Sequence, residues 1–191
     1  MKVTVLGSGA AGGVPMISRG WGKCAPDNPR NRRRRPSILV EEGRARILVD
    51  TGPDLREQLL EAGVSSLDAV LYTHGHADHL HGIDDLREVN RAMGRPLDVY
   101  GEEHALADIR ARFGYVFEPL DLATQPIYKP LLVPHLVEGP FEIGPMSIVP
   151  MVQDHGYGAS TGFRFGDFAY STDVVEMPAA SFAALSGVKV W

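Results

Sequence analysis

Between Leu71 and Arg87 the sequence LYTHGHADHLHGIDDLR gathers four of the chain's seven histidines and three aspartates. Imidazole and carboxylate groups together suit zinc, manganese or iron, and with no thiolate among them the metal stays undecided. The order His74-x-His76-x-Asp78-His79 follows directly on an apolar run. If His74 and His76 continue in extended or turn geometry, both rings face one way, and Asp78 and His79 fall on the next bend. One pair can then serve one cation and the second pair another. A histidine-rich turn can be plain polar surface, but this spacing at the end of a buried-looking strand points to ligands.

Distant segments add to this reading. Asp50-Thr51-Gly52 ends the preceding strand and would set the Asp50 carboxylate beside the same sheet edge, where it can hold a ligand imidazole in place. MVQDHGYG brings His155 to a strand end, and FAYSTDV does the same for Asp173. A carboxylate that bridges two cations needs a rigid strand end, which Asp173 has. His135, in VPHLVEG, competes with His155 as third ligand, although Pro134 and a flanking strand favour a structural role. His81 reads as a neighbour that supports the ligands or as part of a helix start, Asp84 and Asp85 as caps of the next helix, and His104 as a surface residue.

Arg30, Arg32, Arg33, Arg34 and Arg35 crowd between Asn28 and Pro36. Such a run is either a solvated loop or an anion-binding rim, since guanidinium presents forked donors to phosphate. On the second reading Arg33 and Arg35 are candidates for substrate binding. The glycine-rich GSGAAGG lacks the spacing and the later acidic residue of a dinucleotide fingerprint, and reads as a tight turn that lets backbone approach the site.

The elements that carry these residues are legible from period and punctuation. Strands are expected at 3–7, 37–42, 45–52 and 68–74, with a helix over 54–63 whose Leu55, Leu59 and Leu60 share a face and whose Gly63 suits a C-cap. A strand at 96–101, a helix at 102–114 and a proline-rich passage from Pro119 to Pro134 follow. Period-two segments at 146–152 and 161–166 lead into a hairpin through Gly166-Asp167, and a short helix is expected over 177–187. The pattern predicts an α/β (α+β) layered sandwich of mixed sheets. Val188-Lys189-Val190-Trp191 reads as the opening of another strand, so the expectation is a single domain over 1–191 that is truncated at its C-terminus.

With 44% hydrophobic and 23% charged side chains over 191 residues, the chain can bury one sizeable core. Its 24 acidic against 19 basic groups, a net charge of -5, offer no cationic surface for an anionic membrane or for a stable nucleic-acid partner. No stretch approaches the run of about 20 apolar residues that spans a bilayer, and MKVTVLGSGAAGG has no charged-then-apolar leader, so a soluble cytoplasmic protein is expected. Cys24, alone, forms no disulfide within the chain and no cysteine-based zinc site. A homodimer is compatible with all of this.

LYTHGHADHLHG, ILVDTG, the strand-end His155 and the YSTD of Asp173 are together similar to the metallo-β-lactamase-fold hydrolases, over nearly the whole chain. His-x-His-x-Asp-His is the most specific motif of that superfamily. More narrowly, GSGAAGGVP, the Trp21 to Cys24 region, NPRNRRRRPS and the GIDDLR tail resemble the phosphoribosyl 1,2-cyclic phosphate phosphodiesterase branch. The resemblance implies a four-layer αββα sandwich and two divalent metal ions. His74, His76 and His155 would bind one, Asp78 and His79 the other, with Asp173 bridging both. It also implies another histidine ligand beyond His155, which this sequence lacks, so the second site is expected to be incomplete. The several cysteines that hold a structural zinc in that branch reduce here to Cys24, and that site is not carried over.

Two cations about 3.5–4 Å apart can bridge a hydroxide, bring its pKa toward neutrality and clamp phosphodiester oxygens during in-line attack. The expected function is therefore a metal-dependent phosphodiesterase of a small cyclic or nucleotide-like phosphate ester, with Asp78 and Asp173 at the reacting centre. Hydrolysis of a thioester, lactone or β-lactam, RNA processing, and metal or nucleotide binding without turnover are the alternatives. The arginine run favours phosphate.

Overall fold

A computed structural model describes residues 1–191 throughout. Strands β1 (Lys2–Gly7), β2 (Ser37–Glu42) and β3 (Ala45–Val49) pair antiparallel, and the same sheet continues in parallel from β3 through β4 (Ala69–Leu71) and β5 (Leu97–Gly101) to β6 (Leu132–Leu136). Parallel neighbours need crossovers, and helices supply them: α1 (Leu55–Ala62), the single turn α2 (Ala77–Leu80) with α3 (Leu86–Met93), and α4 (Glu103–Phe113). A second sheet in the order β10-β9-β8-β7 is built from β7 (Phe141–Ile143), β8 (Met146–Asp154), β9 (Ala159–Phe165) and β10 (Phe168–Tyr170). It is antiparallel throughout, where the sequence suggested mixed pairing in both sheets.

Strand alternation sorts the apolar residues into two cores. Leu39, Leu48, Val70 and Val99 face the helices and meet Leu55, Leu59, Leu86 and Leu106. Their neighbours Ile38, Val40, Ile47, Val49 and Leu71 face the second sheet and meet Ile148, Phe163 and Phe165. Ile47-Leu48-Val49 is therefore buried on both faces, which explains its unbroken apolar run. Helix α5 (Ala179–Ala183) packs against β8, with Ser181 Oγ donating to the Val152 carbonyl at 2.6 Å. The fourth layer of the expected αββα sandwich is this one short helix.

Several local expectations hold. Gly63 ends α1 in left-handed backbone at φ 66°, its N–H reaching the Leu59 and Leu60 carbonyls, and Gly166 turns the β9–β10 hairpin at φ 55°. Others change. The helix expected over 177–187 stops after Ala183, where Nη1 of Arg164 donates to the carbonyls of Ala184 at 2.5 Å and Ser186 at 2.9 Å. Strand β6 begins at the end of the proline-rich passage, and Pro134 is tolerated because β6 is the sheet's edge. Val190 makes one parallel bridge to Phe168.

Asp50 follows β3, the His74 segment follows β4, His155 follows β8 and Asp173 lies beyond β10. The two sheets are joined at this rim by the Thr161 N–H, which donates to the Thr73 carbonyl at 2.9 Å. Clefts outside strand ends are where α/β proteins bind ligands.

Candidate metal centre

Asp50 adopts left-handed backbone at φ 64°, a conformation few side chains take, with its N–H anchored on the Leu71 carbonyl at 2.9 Å. Its fully buried carboxylate lies beside the Thr73–His79 segment. Oδ1 accepts the Thr73 N–H at 2.8 Å, while Oδ2 accepts the Thr73 hydroxyl at 2.8 Å and the His79 Nδ1–H at 2.7 Å. Having given its proton to Asp50, the Thr73 oxygen accepts from His74 Nδ1–H at 2.9 Å. This network assigns both imidazoles a hydrogen on Nδ1 and a bare lone pair on Nε2. Each Nε2 is buried without a hydrogen-bond partner. Orphaned lone pairs among carboxylates are the donor set of a cation, so these residues fit divalent metal ions.

Asp173, at φ 50°, places Oδ2 2.6 Å from His79 Nε2 and 3.6 Å from His74 Nε2, without hydrogen-bond alignment to either, and Asp78 Oδ2 is 3.3 Å from His79 Nε2. Burial, helped by the imidazoles of His79 and His76, pushes His74 down to about 3, so it is neutral. Burial also opposes a charge on His79, but Asp50, Asp173 and Asp78 outweigh it and push that ring up to about 12. Three carboxylates around one ring call for positive charge, which either a proton on Nε2 or a metal ion supplies. Contact with His79 holds Asp173 below the usual carboxylate range against the effect of burial. At Asp78 burial is the largest single effect and opposes the same shift, but contacts with His79 and a backbone hydrogen bond prevail.

The donor atoms of His74, His76 and His155 form a second cluster within 4.8 Å of one another, with His155 Nε2 3.0 Å from His76 Nδ1. The rings meet edge-on, their planes 65° to 90° apart, so lone pairs converge and faces do not stack. His79, His74 and Asp173 make the other cluster, with Asp78 beside it. The turns that carry His155 and Asp173 are tied together by Asp154 N–H to Glu176 O at 2.9 Å and Val175 N–H to Asp154 O at 2.8 Å.

Two glycines permit this crowding. A Cβ on Gly52 would stand 2.2 Å from the Asp78 carbonyl oxygen, and one on Gly82 would stand 2.1 Å from the Gly52 carbonyl oxygen. The loop after β3 and the ligand segment can interlock only without those side chains.

The structure thus gathers His74, His76, Asp78, His79, His155 and Asp173, with Asp50 behind them. It does not bring in all the others. His81 is exposed, packs on Phe113 at 5.4 Å between ring centroids and reaches, at 3.4 Å, the Arg112 that also donates to the Gly75 carbonyl. The turn of α2 carries it to the outer side, toward α4. Arg35 is engaged by Asp54, which accepts its backbone N–H at 2.8 Å and its guanidinium at 3.2 Å. Arg33 is exposed and lines a cavity that none of these six clustered residues lines. His135 pairs with Asp98 at 2.8 Å and stacks on Tyr100, and His104 lies near Glu102, both outside the centre. Thr73 and Arg112 escaped sequence reasoning. Thr73 precedes the first ligand without any motif of its own, and Arg112, on α4, donates to the Gly75 carbonyl between His74 and His76.

Two face-packed sheets with helical crossovers, and imidazole and carboxylate clusters at their strand ends, are the architecture of the metallo-β-lactamase fold. The chain belongs to this family: the beta-lactamase superfamily domain matches residues 45–191. A solved diphosphatase of the PhnP family is 36% identical with a TM-score of 0.84, over 96% of this chain and 68% of that one. A Porphyromonas gingivalis protein named octanoyltransferase is 35% identical over all of this chain, which spans 38% of it. A ribonuclease Z of Bradyrhizobium is 48% identical over 86 residues, 44% of this chain and 27% of that protein. The chain thus spans well under half of the curated relatives named here. Divalent metal ions go with this fold, and the donor clusters fit them. No helix is long and apolar enough to cross a membrane.

Proposed function

We propose that this chain carries the metal centre of a hydrolase acting on phosphate esters, a phosphodiesterase or diphosphatase with a small cyclic or nucleotide-like substrate. The observation that carries the reading is the pair of buried, partnerless Nε2 atoms of His74 and His79, locked in one tautomer by Asp50 beside ionised Asp173. Likeness to a PhnP-family diphosphatase supports phosphate as the reacting group.

His74, His76 and His155 would hold one divalent ion, Asp78 and His79 the other, and Asp173 both, with zinc, manganese or iron suited to the donors. Such ions, when bound, polarise phosphoryl oxygens and acidify water. The chain's own residues do the rest. Asp50 keeps the lone pairs aimed, directly at His79 and through Thr73 at His74. Asp78 and Asp173 stay ionised at neutral pH, so either can accept a hydrogen bond from the attacking water and hold its proton on a carboxylate oxygen. Exposed His76 and half-exposed His155 leave the centre open to a small substrate on one side, while buried His74 and His79 close the other.

Hydrolysis of bis-p-nitrophenyl phosphate with added manganese or zinc, compared with a chromogenic β-lactam and a glutathione thioester, tests the reading. Turnover of the phosphodiester alone, lost in His76→Ala, is expected. Turnover of the β-lactam or thioester alone would overturn the phosphate assignment, and none with any metal or substrate would overturn the hydrolase.

A further inference from the structure

We infer that Arg30, Arg32, Arg33 and Arg34 form a second site, separate from the metal centre, for a small multivalent phosphate anion. These four side chains line an open cavity of about 500 Å³ between β1 and the C-terminal half of α1. One carboxylate answers them: Glu61 pairs with Arg34. Arg30, Arg32 and Arg33 have no carboxylate at ion-pairing distance, in a chain with 24 acidic against 19 basic groups. Like charges gathered without a counterion repel one another, so a fold that keeps them together is poised for an anion.

The backbone that carries the donors is held in place by its own loop. Asn28 Oδ1 accepts the Arg30 N–H at 3.0 Å, and the Arg33 and Val14 backbones exchange two hydrogen bonds of 2.9 Å. The Arg32 guanidinium sits 5.5 Å from the Trp21 ring centroid, and the Arg34 carbonyl accepts the Gly9 N–H at 2.7 Å. Ordering a ligand on a fixed backbone costs less than ordering a free loop. Planar guanidinium forks match phosphate oxygens two at a time, and three unpaired forks suit an anion with two phosphate groups.

None of the six metal ligands lines this cavity, although Gly7 and Ser8 also line the neighbouring one that ends at Asp173. An anion held by the arginines therefore lies beside the metal centre and not on it.

Isothermal titration of the protein with methylenediphosphonate, a diphosphate mimic that resists hydrolysis, tests the inference without relying on turnover. Binding is expected to persist in His76→Ala, to weaken roughly tenfold or more in Arg30→Ala/Arg32→Ala, and to weaken with added salt. The lysine pair Arg30→Lys/Arg32→Lys, which keeps the charges and loses the forks, is expected to fall between. Binding abolished by His76→Ala and untouched by the arginine changes would place the anion on the metals and overturn the inference. So would the absence of binding at low salt in a folded protein. Either result leaves the hydrolase reading to its own assay.

Discussion

Replacing Asp50 with asparagine tests how the metal ligands are held. Asn keeps the shape of the side chain and tolerates left-handed backbone better than most residues, so the strained position at φ 64° is preserved. Its Oδ1 still accepts the Thr73 N–H. The atom that accepted protons from Thr73 at 2.8 Å and His79 at 2.7 Å becomes an NH2, a donor facing two donors. His79 can satisfy that NH2 only by baring Nδ1, which moves its hydrogen to Nε2, the atom that faces Asp173. The lone pair available to a metal is lost there, whereas His74 is affected only through Thr73. Loss of such an orienting partner costs about 10–100-fold in metal affinity, or about 1.4–2.7 kcal/mol. The larger loss is expected for the ion held by His79. Thr73→Val should reverse the order, because it removes the partner of His74 and leaves the Asp50–His79 contact. Competition against a chromophoric chelator reads both affinities, with circular dichroism confirming the fold. A folded Asp50→Asn protein that binds both ions within about twofold of the parent would refute the relay.

Gly52→Ala places a methyl 2.2 Å from the Asp78 carbonyl, a backbone atom that cannot move without Asp78, and should lower unfolding free energy by about 1–3 kcal/mol and weaken metal binding. Gly114→Ala, with φ -49° and open space around it, should be neutral or stabilising by up to about 1 kcal/mol in the same denaturation series. Burial and the hydrogen bond that Tyr115 donates to Asp84 at 2.5 Å push the phenol up to about 12. The folded state therefore keeps this proton above pH ~10, where the unfolded chain loses it. Its stabilising effect is full below that pH and lost as pH rises toward 12, so Tyr115→Phe should show a shallower alkaline decline in stability. Chelation should lower the melting temperature. Zinc restored at a hundredfold its dissociation constant should return about 2.7 kcal/mol, and an unchanged melting curve would mean no metal binds the folded state.

Much of the centre is visible along the chain because its chemistry is local. His74, His76, Asp78 and His79 sit within six residues, so their types and spacing announce ligands before any fold is known. Strand and helix periods, the cap at Gly63 and the turn at Gly166 are likewise properties of short windows; the structure keeps the cap and the turn but ends the strands expected over 45–52 and 68–74 at Val49 and Leu71. The misreadings share a cause. Pro134 breaks a central strand but not an edge, and Arg164 ends α5 from another element. Each outcome depends on a partner that no nearby residue reveals.

The sequence by itself thus set the ligand types, the hydrophobic faces and the elements that could carry them. Folding added what distance hides: His76 and His155, 79 positions apart, meet at 3.0 Å, and Asp50 reaches across to orient two imidazoles, His79 directly and His74 through Thr73. Periodicity says which face of a strand is buried. Only the packing of one sheet on the other establishes which strand ends converge, and with them which lone pairs are left bare for a metal.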